Sequence, residues 1–429
     1  MVTAENYAVI YICDVNYELR IEKMVQGGEG MARLPDGRVC FVQGGLPGEL
    51  CQVEILQNKK DFTRGRVIKI TEKSKDRAEP KCKLYGKCGG CSLQHLESSA
   101  QAACAALVER ENFRRIARVE LPEDFKIHTG PAWGYRNRAR VVIARAKSGK
   151  ISYGFRMQKS NGIIPFETCP VLTPAINEFL KQKASRIFEE FVRNSKRPPR
   201  NYELDVNVFD NGAGKVCYYY KGMPAADFEK NAVSVVEIAG KKIRSDASVF
   251  FQSNLALLPE LVTAVQNAVD EGIASGEASD AWLIDLFSGV GFFAAILKDK
   301  FKKVTTVERD DGCLTHARQN LNGGVTGVSP VPINVENVSA PAEDWLAENV
   351  VDEPATLIVD PPRTGLPPTA LEAIIKSSVN RLIYVSCDPV TLARDFAKFR
   401  EGGFALKKAE GFAFYPQTPH LEMLFVLSR

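Results

Sequence analysis

Residues Trp282–Gly291, WLIDLFSGVG, join a short apolar run to a glycine-containing turn. The apolar residues Trp282–Phe287 predict a buried strand, and Phe292–Leu297 predict a helix after the turn. Gly289 and Gly291 allow the backbone to turn tightly and to approach a ligand closely. A strand, a glycine turn and a helix in this order are typical of nucleotide-binding parallel sheets.

Three further apolar runs follow, each ending in polar or small residues, with helical segments between them: Val304–Glu308, Thr356–Asp360 and Leu382–Ser386. This alternation predicts an α/β, Rossmann-like domain whose ligands bind at the carboxyl ends of the strands. Glu308 ends the second run, where a carboxylate can accept hydrogen bonds from both hydroxyls of a ribose. The third glycine of the dinucleotide fingerprint is absent, which favours a nucleoside cofactor over NAD. A tight turn that binds nothing is the alternative.

Two later loops place reactive side chains at the same edge of the predicted sheet. Asp360 and Arg363 lie in DPPRTG, where prolines stiffen the chain and the guanidinium could orient a substrate or pair with a carboxylate. Cys387 ends the next strand, although a lone cysteine is usually a small buried hydrophobic residue. Glu422 begins the last apolar strand, either as a general base or as a solvent-facing edge residue.

The rest of the chain predicts two further domains. Residues 15–71 contain short β-rich runs split by glycine turns, which indicates a small β-barrel. Residues 82–245 combine a helical stretch with alternating strand-like runs, which favours an α+β domain. We therefore expect domains at 1–75, 76–245 and 246–429.

The composition is that of an ordinary globular protein, with 45% hydrophobic and 25% charged residues and a net charge of +4 over 429 residues. Such a small net charge means that any basic surface for nucleic acid is local. No apolar run approaches the roughly 18 residues that span a membrane, and the N-terminus has no basic start followed by an apolar stretch. These features predict a cytoplasmic protein without a membrane partner, and we expect a monomer.

A cysteine cluster lies at the start of the central region. Cys82, Cys88 and Cys91 have the spacing CxxxxxCxxC, and Cys169 follows in the sequence ETCPVL. Four thiolates suit a tetrahedral site, for which zinc and an iron–sulfur cluster are both chemically possible. Spacing alone slightly favours zinc, because CxxC is a common zinc half-site. Four cysteines without a metal are the remaining alternative.

Aromatic and basic residues interleave in the segment that contains Tyr135, Arg136 and Arg138. Aromatic faces stack on bases and arginines hold phosphates, so these residues are candidate contacts to RNA. A strand with an apolar core face and a basic solvated face is nearly as good an explanation for any single residue.

Taken together, the motifs resemble those of the class I RNA 5-methyluridine methyltransferases and appear in that family's order. They are SVFFQSN, DLFSGVG, VERD, DPPRTGL, VSCDP and PHLEML. The N-terminal segment QGGEGMARLPDGRVCFVQGGLPGEL resembles a TRAM domain, a small OB-like barrel that binds RNA.

The resemblance implies an enzyme that transfers a methyl group from S-adenosylmethionine to C5 of a uracil. It implies Cys387 as the nucleophile that adds to C6 of the ring and Glu422 as the base. It also places Gln252, Phe287, Glu308 and Asp360 at cofactor-contacting positions, with Gly289 and Gly291 in the cofactor turn. The four-cysteine pattern of the family changes the metal expectation to a [4Fe-4S] cluster.

The barrel and the four cysteines favour the members that act on 23S rRNA, with a tRNA uracil-54 enzyme as the alternative and a non-catalytic RNA-binding protein as a third. Two departures from the family pattern have physical consequences. Asp388 stands where Asn is usual, and a carboxylate there should raise the pKa of Cys387. Phe292 replaces a polar residue after the glycine turn, so one cofactor contact is missing.

Overall fold

A computed structural model describes residues 16–146, 148–158, 160–195, 203–322 and 334–429. The prediction that the N-terminus has no export signal concerns residues that lie mostly outside these described ranges. Contacts divide the chain into two units. The first runs to Tyr85 and includes Cys91–Val108 and Gln417–Pro419, and the second contains Gly86–Gly90, Glu109–Pro416 and His420–Arg429. The boundaries at residues 75 and 245 therefore stay predictions.

A six-stranded sheet forms the barrel of the first unit. Its order is β1-β5-β6-β4-β3-β2, with β4 and β6 parallel and the other pairs antiparallel. The strands are β1 (Asn16–Arg20), β2 (Lys23–Met24), β3 (Gly30–Arg33), β4 (Val39–Gln43), β5 (Leu50–Asn58) and β6 (Phe62–Glu72). Alternate side chains of β4 and β5 point inwards, and residues such as Cys40, Val42 and Val53 are fully buried in the barrel core. Burial along these strands thus has the period of two that is expected when one face of a sheet lies in the core.

An antiparallel sheet covered by one long helix forms the core of the central region. Its order is β10-β9-β8-β11-β12. These strands are β8 (Arg138–Arg145), β9 (Ile151–Arg156), β10 (Ile163–Pro165), β11 (Glu203–Asp210) and β12 (Val216–Tyr219). Helix α2 (Pro174–Asn194) starts at Thr173, whose hydroxyl accepts a hydrogen bond from the N–H of Ile176, and packs its apolar side on this sheet. The predicted α+β character of this region is observed.

The remaining elements of this part of the chain are short, apart from one helix. They are α1 (Ser98–Ile116), β7 (Ile127–His128), α3 (Ala225–Asn231), β13 (Val233–Ile238) and β14 (Lys241–Asp246).

The C-terminal half contains an eight-stranded sheet of order β17-β16-β15-β18-β19-β21-β20-β7. Its strands after β7 are β15 (Trp282–Leu286), β16 (Lys303–Glu308), β17 (Asn334–Ser339), β18 (Ala355–Val359), β19 (Val379–Ser386), β20 (Ala405–Phe412) and β21 (Glu422–Ser428). The helices are α4 (Leu258–Ser275), α5 (Phe292–Leu297), α6 (Asp311–Asn322), α7 (Ala342–Glu348), α8 (Pro368–Lys376) and α9 (Pro389–Glu401).

The five strands β15 to β19 run parallel, and each of the four runs predicted from the sequence is a strand of this group. Strand β21 is inserted antiparallel between β19 and β20. The start of β21 therefore lies at the same edge as the carboxyl ends of the parallel strands. Within the described parts of the chain, none of the helices has the length and apolar character that crossing a bilayer requires.

Candidate active site

The glycine turn after β15 has an unusual backbone. Phe287 has a φ of 59°, which is rare for a bulky residue, and Gly289 and Gly291 have φ values of 54° and 72°. A Cβ atom at position 291 would lie 3.1 Å from the Cβ of Ala317, so this position also needs glycine for space. Strain of this kind concentrates where the fold positions a ligand.

Glu308 ties this turn to the end of β16. One of its carboxylate oxygens accepts the N–H of Gly289 at 2.9 Å, and the other accepts the N–H of Asp310 at 2.8 Å. Each carboxylate oxygen can accept more than one hydrogen bond, so Glu308 retains capacity for the hydroxyls of a ribose.

Several buried polar atoms near the turn have no hydrogen-bond partner among the residues that the structure describes. They are Oε1 of Gln252, Oδ1 of Asp285 and Oγ of Ser288, in side chains that are at most 7% exposed. A buried polar atom that lacks a hydrogen bond is costly, so these atoms suit a bound polar ligand. Gln252 was predicted from the sequence, whereas Asp285 and Ser288 were missed. The signal for Asp285 was a carboxylate inside an otherwise apolar strand.

The charges at this edge of the sheet favour a cationic ligand. The pKa of Asp285 is raised to about 8. Burial is the main cause, and the neighbouring carboxyls of Asp360 and Glu308 contribute to the rise. A bound positive charge would relieve this repulsion and favour the ionised carboxylates. S-adenosylmethionine, which is a nucleoside with a sulfonium cation, therefore fits the residues of this site.

Sheet register brings Cys387 and Glu422 together. Ser386, the last residue of β19, pairs with Met423 of β21, so the residues just beyond this pair, Cys387 and Glu422, emerge at the same edge. Asp360 follows β18, which lies next to β19 on its other side. Cys387 and Asp360 are half-buried, and Glu422 is 3% exposed.

Burial and neighbouring carboxylates control the protonation of Cys387 and Glu422. Burial raises the pKa of Cys387 to about 11, helped by Glu422 and Asp360, while Arg363 opposes the rise. Burial also raises the pKa of Glu422 well above its ordinary value, with a contribution from Asp360. The thiol of Cys387 is therefore protonated at neutral pH.

Asp388 raises the pKa of Cys387 as the sequence predicted, but it contributes least of the neighbouring groups. Its carboxylate caps helix α9 by accepting the N–H groups of Val390 at 3.0 Å and Thr391 at 3.1 Å. The helix N-terminus balances part of the negative charge, which explains the small effect on the thiol.

Alkylation of Cys387 tests its protonation directly. Because only the thiolate reacts, modification by iodoacetamide should accelerate about tenfold per pH unit from pH 7 to pH 9 without reaching a plateau. The Glu422→Gln variant should react faster at each pH, since Glu422 raises the pKa of Cys387. Mass spectrometry of the peptide that contains Cys387 measures both rates. A plateau near pH 8 in the wild-type protein would contradict the raised pKa.

The loop that contains Arg363 is fixed against α9 by Asp395. This carboxylate, 1% exposed, accepts the N–H of Leu366 at 2.9 Å and the hydroxyl of Tyr384 at 2.8 Å. A Cβ atom at Gly365, whose φ is 74°, would lie 2.6 Å from an Asp395 oxygen. Arg363 itself is exposed, so its guanidinium is available to a substrate.

Tyr415 and His420 were not singled out from the sequence. Their rings meet edge to face at a centroid distance of 6.3 Å. Burial raises the pKa of Tyr415, and the carboxyl of Glu422 raises it further, which places the phenol beside that carboxyl. Burial and then Arg363 lower the pKa of His420, so its imidazole is neutral at pH 7. Only the assembled sheet shows that these residues belong to the site.

Tyr135 and Arg138 occupy supporting positions. Tyr135 is 4% exposed and its hydroxyl donates to the carbonyl of Pro416 at 2.9 Å. Arg138 donates to the carbonyls of Asp246 and Val249 at 3.1 and 2.5 Å. This placement favours a role in holding loops over direct contact with RNA. Arg136 is half-buried and lowers the pKa of Tyr415, so it lies at the site.

A buried hydrogen bond between His316 and Asp246 holds the loop that leads to Gln252. Nε2 of His316 lies 2.6 Å from Oδ2 of Asp246. The other oxygen of Asp246 accepts the N–H and the hydroxyl of Ser248, each at 2.5 Å. These contacts fix the start of the segment Ser248–Asn254, which the resemblance placed at the cofactor.

Phe292 packs in the core instead of facing the cofactor turn. It is 6% exposed and its ring meets that of Phe251 edge to face. The lost polar contact is thus replaced by core packing.

The side chains of the four cysteines are half-buried. The N–H of Gly90 points to Sγ of Cys88 at 3.4 Å, and the side chain of Asn177 bonds both the N–H and the carbonyl of Cys169, at 2.8 and 3.0 Å. Across the described ranges, however, no three His, Cys, Asp or Glu side chains are grouped so that they could hold a metal ion.

Two family profiles match segments of this chain. A family profile described as tRNA (Uracil-5-)-methyltransferase matches residues 225–429, and a TRAM domain profile matches residues 16–68. The chain is 30% identical over 435 residues to a Treponema denticola protein named as an uncharacterized RNA methyltransferase, covering 96% of this chain and 98% of that protein.

It is also 30% identical over 444 residues to the 23S rRNA (uracil(1939)-C(5))-methyltransferase RlmD of Methylococcus capsulatus, covering 95% of this chain and 96% of the relative. Among solved structures, the tRNA (uracil-54, C5)-methyltransferase of Pyrococcus abyssi, in complex with S-adenosyl-L-homocysteine, has a similar fold. Its TM-score is 0.69 at 21% identity, covering 96% of this chain and 99% of that chain.

Proposed function

Since the chain belongs to the family of S-adenosylmethionine-dependent RNA uracil-5-methyltransferases, we propose that it methylates a uridine of 23S rRNA through a covalent bond between Cys387 and the ring. The observation that carries the covalent mechanism is the register Ser386 to Met423, which brings the thiol of Cys387 and the carboxyl of Glu422 to one edge of the sheet.

Uracil C5 needs activation, because by itself it is too weak a nucleophile to attack a methylsulfonium. The Cys387 thiolate adds to C6, and the electrons of the C5–C6 double bond move into an enolate. C5 then has the electron density to accept a methyl group. S-adenosylmethionine supplies that electrophilic methyl group when it is bound. The raised pKa of Cys387 means that substrate binding must favour the thiolate, and the exposed cation of Arg363 is placed to do so.

Glu422 completes the reaction by proton transfer. After methylation, C5 holds both the new methyl group and its original hydrogen. The Glu422 carboxylate takes that proton, the double bond re-forms, and the bond between C6 and sulfur breaks to return the thiolate. A carboxyl that is 3% exposed has its pKa raised by burial, which makes it a stronger base than an exposed glutamate.

The cofactor would be held by the turn and the unpartnered polar atoms around it. Glu308 would accept the ribose hydroxyls, Gln252 and Ser288 would pair with polar groups of the ligand, and Asp360 would face the reacting end. Phe250 is 63% exposed and lies two residues before Gln252, so its ring is available to stack on a base.

The relatives favour one RNA substrate over the other. The match to the 23S rRNA enzyme covers nearly the whole chain at 30% identity, whereas the likeness to the tRNA enzyme at 21% identity concerns the fold. A tRNA substrate is therefore the second candidate. A non-catalytic RNA-binding protein is disfavoured, because Cys387, Glu422 and Asp360 are all present and converge. Action on RNA of this kind belongs in the cytoplasm.

Methylation of defined transcripts tests the substrate. Unmodified 23S rRNA and unmodified tRNA, each incubated with methyl-labelled S-adenosylmethionine, should give 5-methyluridine in the rRNA alone, mapped by nuclease digestion and mass spectrometry. The uridine named for the Methylococcus relative is the first position to inspect. Label in tRNA alone would replace the rRNA proposal by the tRNA one, and label in neither would contradict both.

We propose that the four cysteines bind a [4Fe-4S] cluster. The support is chemical: Cys82, Cys88, Cys91 and Cys169 supply four half-buried sulfur atoms, and the N–H of Gly90 that points to Cys88 would stabilise a thiolate. Protein purified without oxygen should contain about four iron and four sulfide ions per chain. One zinc ion per chain, or no metal, would contradict the proposal, and a Cys88→Ala variant should lose the iron.

A further inference from the structure

Two phenylalanines lie on the outer face of the barrel. Phe41 of β4 and Phe62 of β6 are half-exposed, and their rings meet edge to face at a centroid distance of 5.8 Å. Their neighbours in sequence, Cys40, Val42 and Thr63, are at most 1% exposed and point to the opposite side. The alternation of these strands therefore directs both rings to the outside of the barrel.

The barrel core does not need these rings. Its buried cluster comprises Leu19, Ile21, Ala32, Leu34, Cys40, Val42, Cys51, Val53 and Ile55, with Tyr17, Val67 and Ile70 packed against it. Neither Phe41 nor Phe62 belongs to this cluster. Other outward positions of the same strands hold polar residues such as Gln43 and Arg66, so an aromatic pair at this place requires an explanation other than core packing.

Cations lie over both rings. The guanidinium carbon of Arg64 is 5.3 Å from the centroid of Phe41 and 6.0 Å from that of Phe62, and Nζ of Lys59 is 5.5 Å from the centroid of Phe62. Glu29 forms an ion pair with Arg64, and Arg38 is held 2.7 Å from Asn58. The face thus combines exposed aromatic rings with positioned cations, as surfaces for single-stranded nucleic acid do.

We propose that Phe41 and Phe62, with Arg64 and Lys59, form a platform on which an unpaired base of the RNA substrate stacks. The proposal rests on the proposed function, because it takes RNA as the partner, but it concerns a base other than the one that is methylated. Aromatic rings bind the face of any base, while the two cations attract the adjoining phosphates. The platform would increase affinity for an extended RNA without taking part in the chemical step.

The test is the affinity of the whole protein for its RNA after removal of both rings. The double variant Phe41→Ala/Phe62→Ala should bind a 23S rRNA fragment about tenfold to hundredfold more weakly, as expected for one lost stacking interaction. Its rate at saturating RNA should equal that of the wild type, so that the loss is confined to Kd and KM. Phe41→Trp should retain full affinity, because the larger ring can still stack.

Leu56→Ala is the matched control, since Leu56 is an apolar residue of the same barrel with 44% exposure and should change affinity little. Arg64→Gln should reduce the dependence of Kd on salt, which the phenylalanine variants should leave unchanged. If the double variant misfolds by circular dichroism, Phe62→Leu replaces it, because leucine keeps the apolar contact and removes the aromatic face.

Equal affinity of the folded phenylalanine variant and the wild type would overturn the platform, as would an equal loss in Leu56→Ala. Either result leaves the proposed function intact if the wild type still methylates the RNA. Absence of methylation by the wild type is the separate result that would contradict the proposed function.

Discussion

Replacing Cys387 with serine should abolish methyl transfer, with a loss of at least about 10³-fold in turnover. The hydroxyl of serine is far less acidic than a thiol, so it provides almost no anion to add to C6 of uracil. The substitution removes little volume from a half-buried position that ends a strand, and the fold should be unaffected. Binding of S-adenosylmethionine, measured by calorimetry, should stay close to that of the wild type.

A trapping experiment identifies Cys387 as the nucleophile. RNA that contains 5-fluorouridine should form a stable adduct with the wild-type protein, because fluorine at C5 cannot leave as a proton does. The Cys387→Ser variant should give no adduct on a denaturing gel. Cys104→Ser is the control, since Cys104 is another half-buried free thiol whose pKa is raised by burial. An adduct of equal yield in the Cys387 variant would rule out the mechanism.

The Glu422→Gln variant should stall after methyl transfer. Glutamine has the size of glutamate but cannot take the proton from C5, so turnover should fall by about 10²- to 10⁴-fold. The bond between the sulfur and C6 and the bond between C5 and the methyl group can still form. Methylated RNA should therefore accumulate as a covalent complex with Cys387. Denaturing gels and mass spectrometry would show this complex and its additional methyl group.

The substitution suits the site because Glu422 is 3% exposed and a neutral amide avoids a buried charge. Glu410→Gln serves as the control, because Glu410 is also buried, at 7% exposure, and lies on the neighbouring strand β20. Its carboxyl lies 2.9 Å from His128 and 2.9 Å from Lys408 and has no part in the proposed mechanism. Glu410→Gln should turn over normally. Normal turnover in Glu422→Gln would assign the base to another group, of which Asp360 is the nearest candidate.

Much of the fold followed from local patterns. Continuous apolar runs predicted β15, β16, β18 and β19, because strands covered on both faces have no polar side. The helical stretch predicted near residues 93–118 is observed as Ser98–Ile116. The strands Lys23–Met24 and Gly30–Arg33 were not predicted, because strands this short are defined by their hydrogen-bonded neighbours and show no periodicity.

The aromatic and basic pattern around Tyr135 was a weaker guide. Interleaved rings and arginines predicted an RNA surface, yet the hydroxyl of Tyr135 bonds Pro416 and the guanidinium of Arg138 bonds two backbone carbonyls. The sequence does not distinguish an arginine whose side chain faces solvent from one that donates hydrogen bonds to buried carbonyls. Burial depends on which distant segments pack against the residue, and periodicity does not contain that information.

The class of each domain, the glycine turn, and Cys387 and Glu422 as candidates could be predicted from the residues alone, because they depend on local residue types and spacing. Which side chains meet depends on how distant segments pack. The antiparallel insertion of β21 beside β19 places Glu422 at the thiol, and packing adds Tyr415, His420 and Asp285 to the same edge. Proximity and burial set the pKa of Cys387, and both arise from contacts between segments that are far apart along the chain.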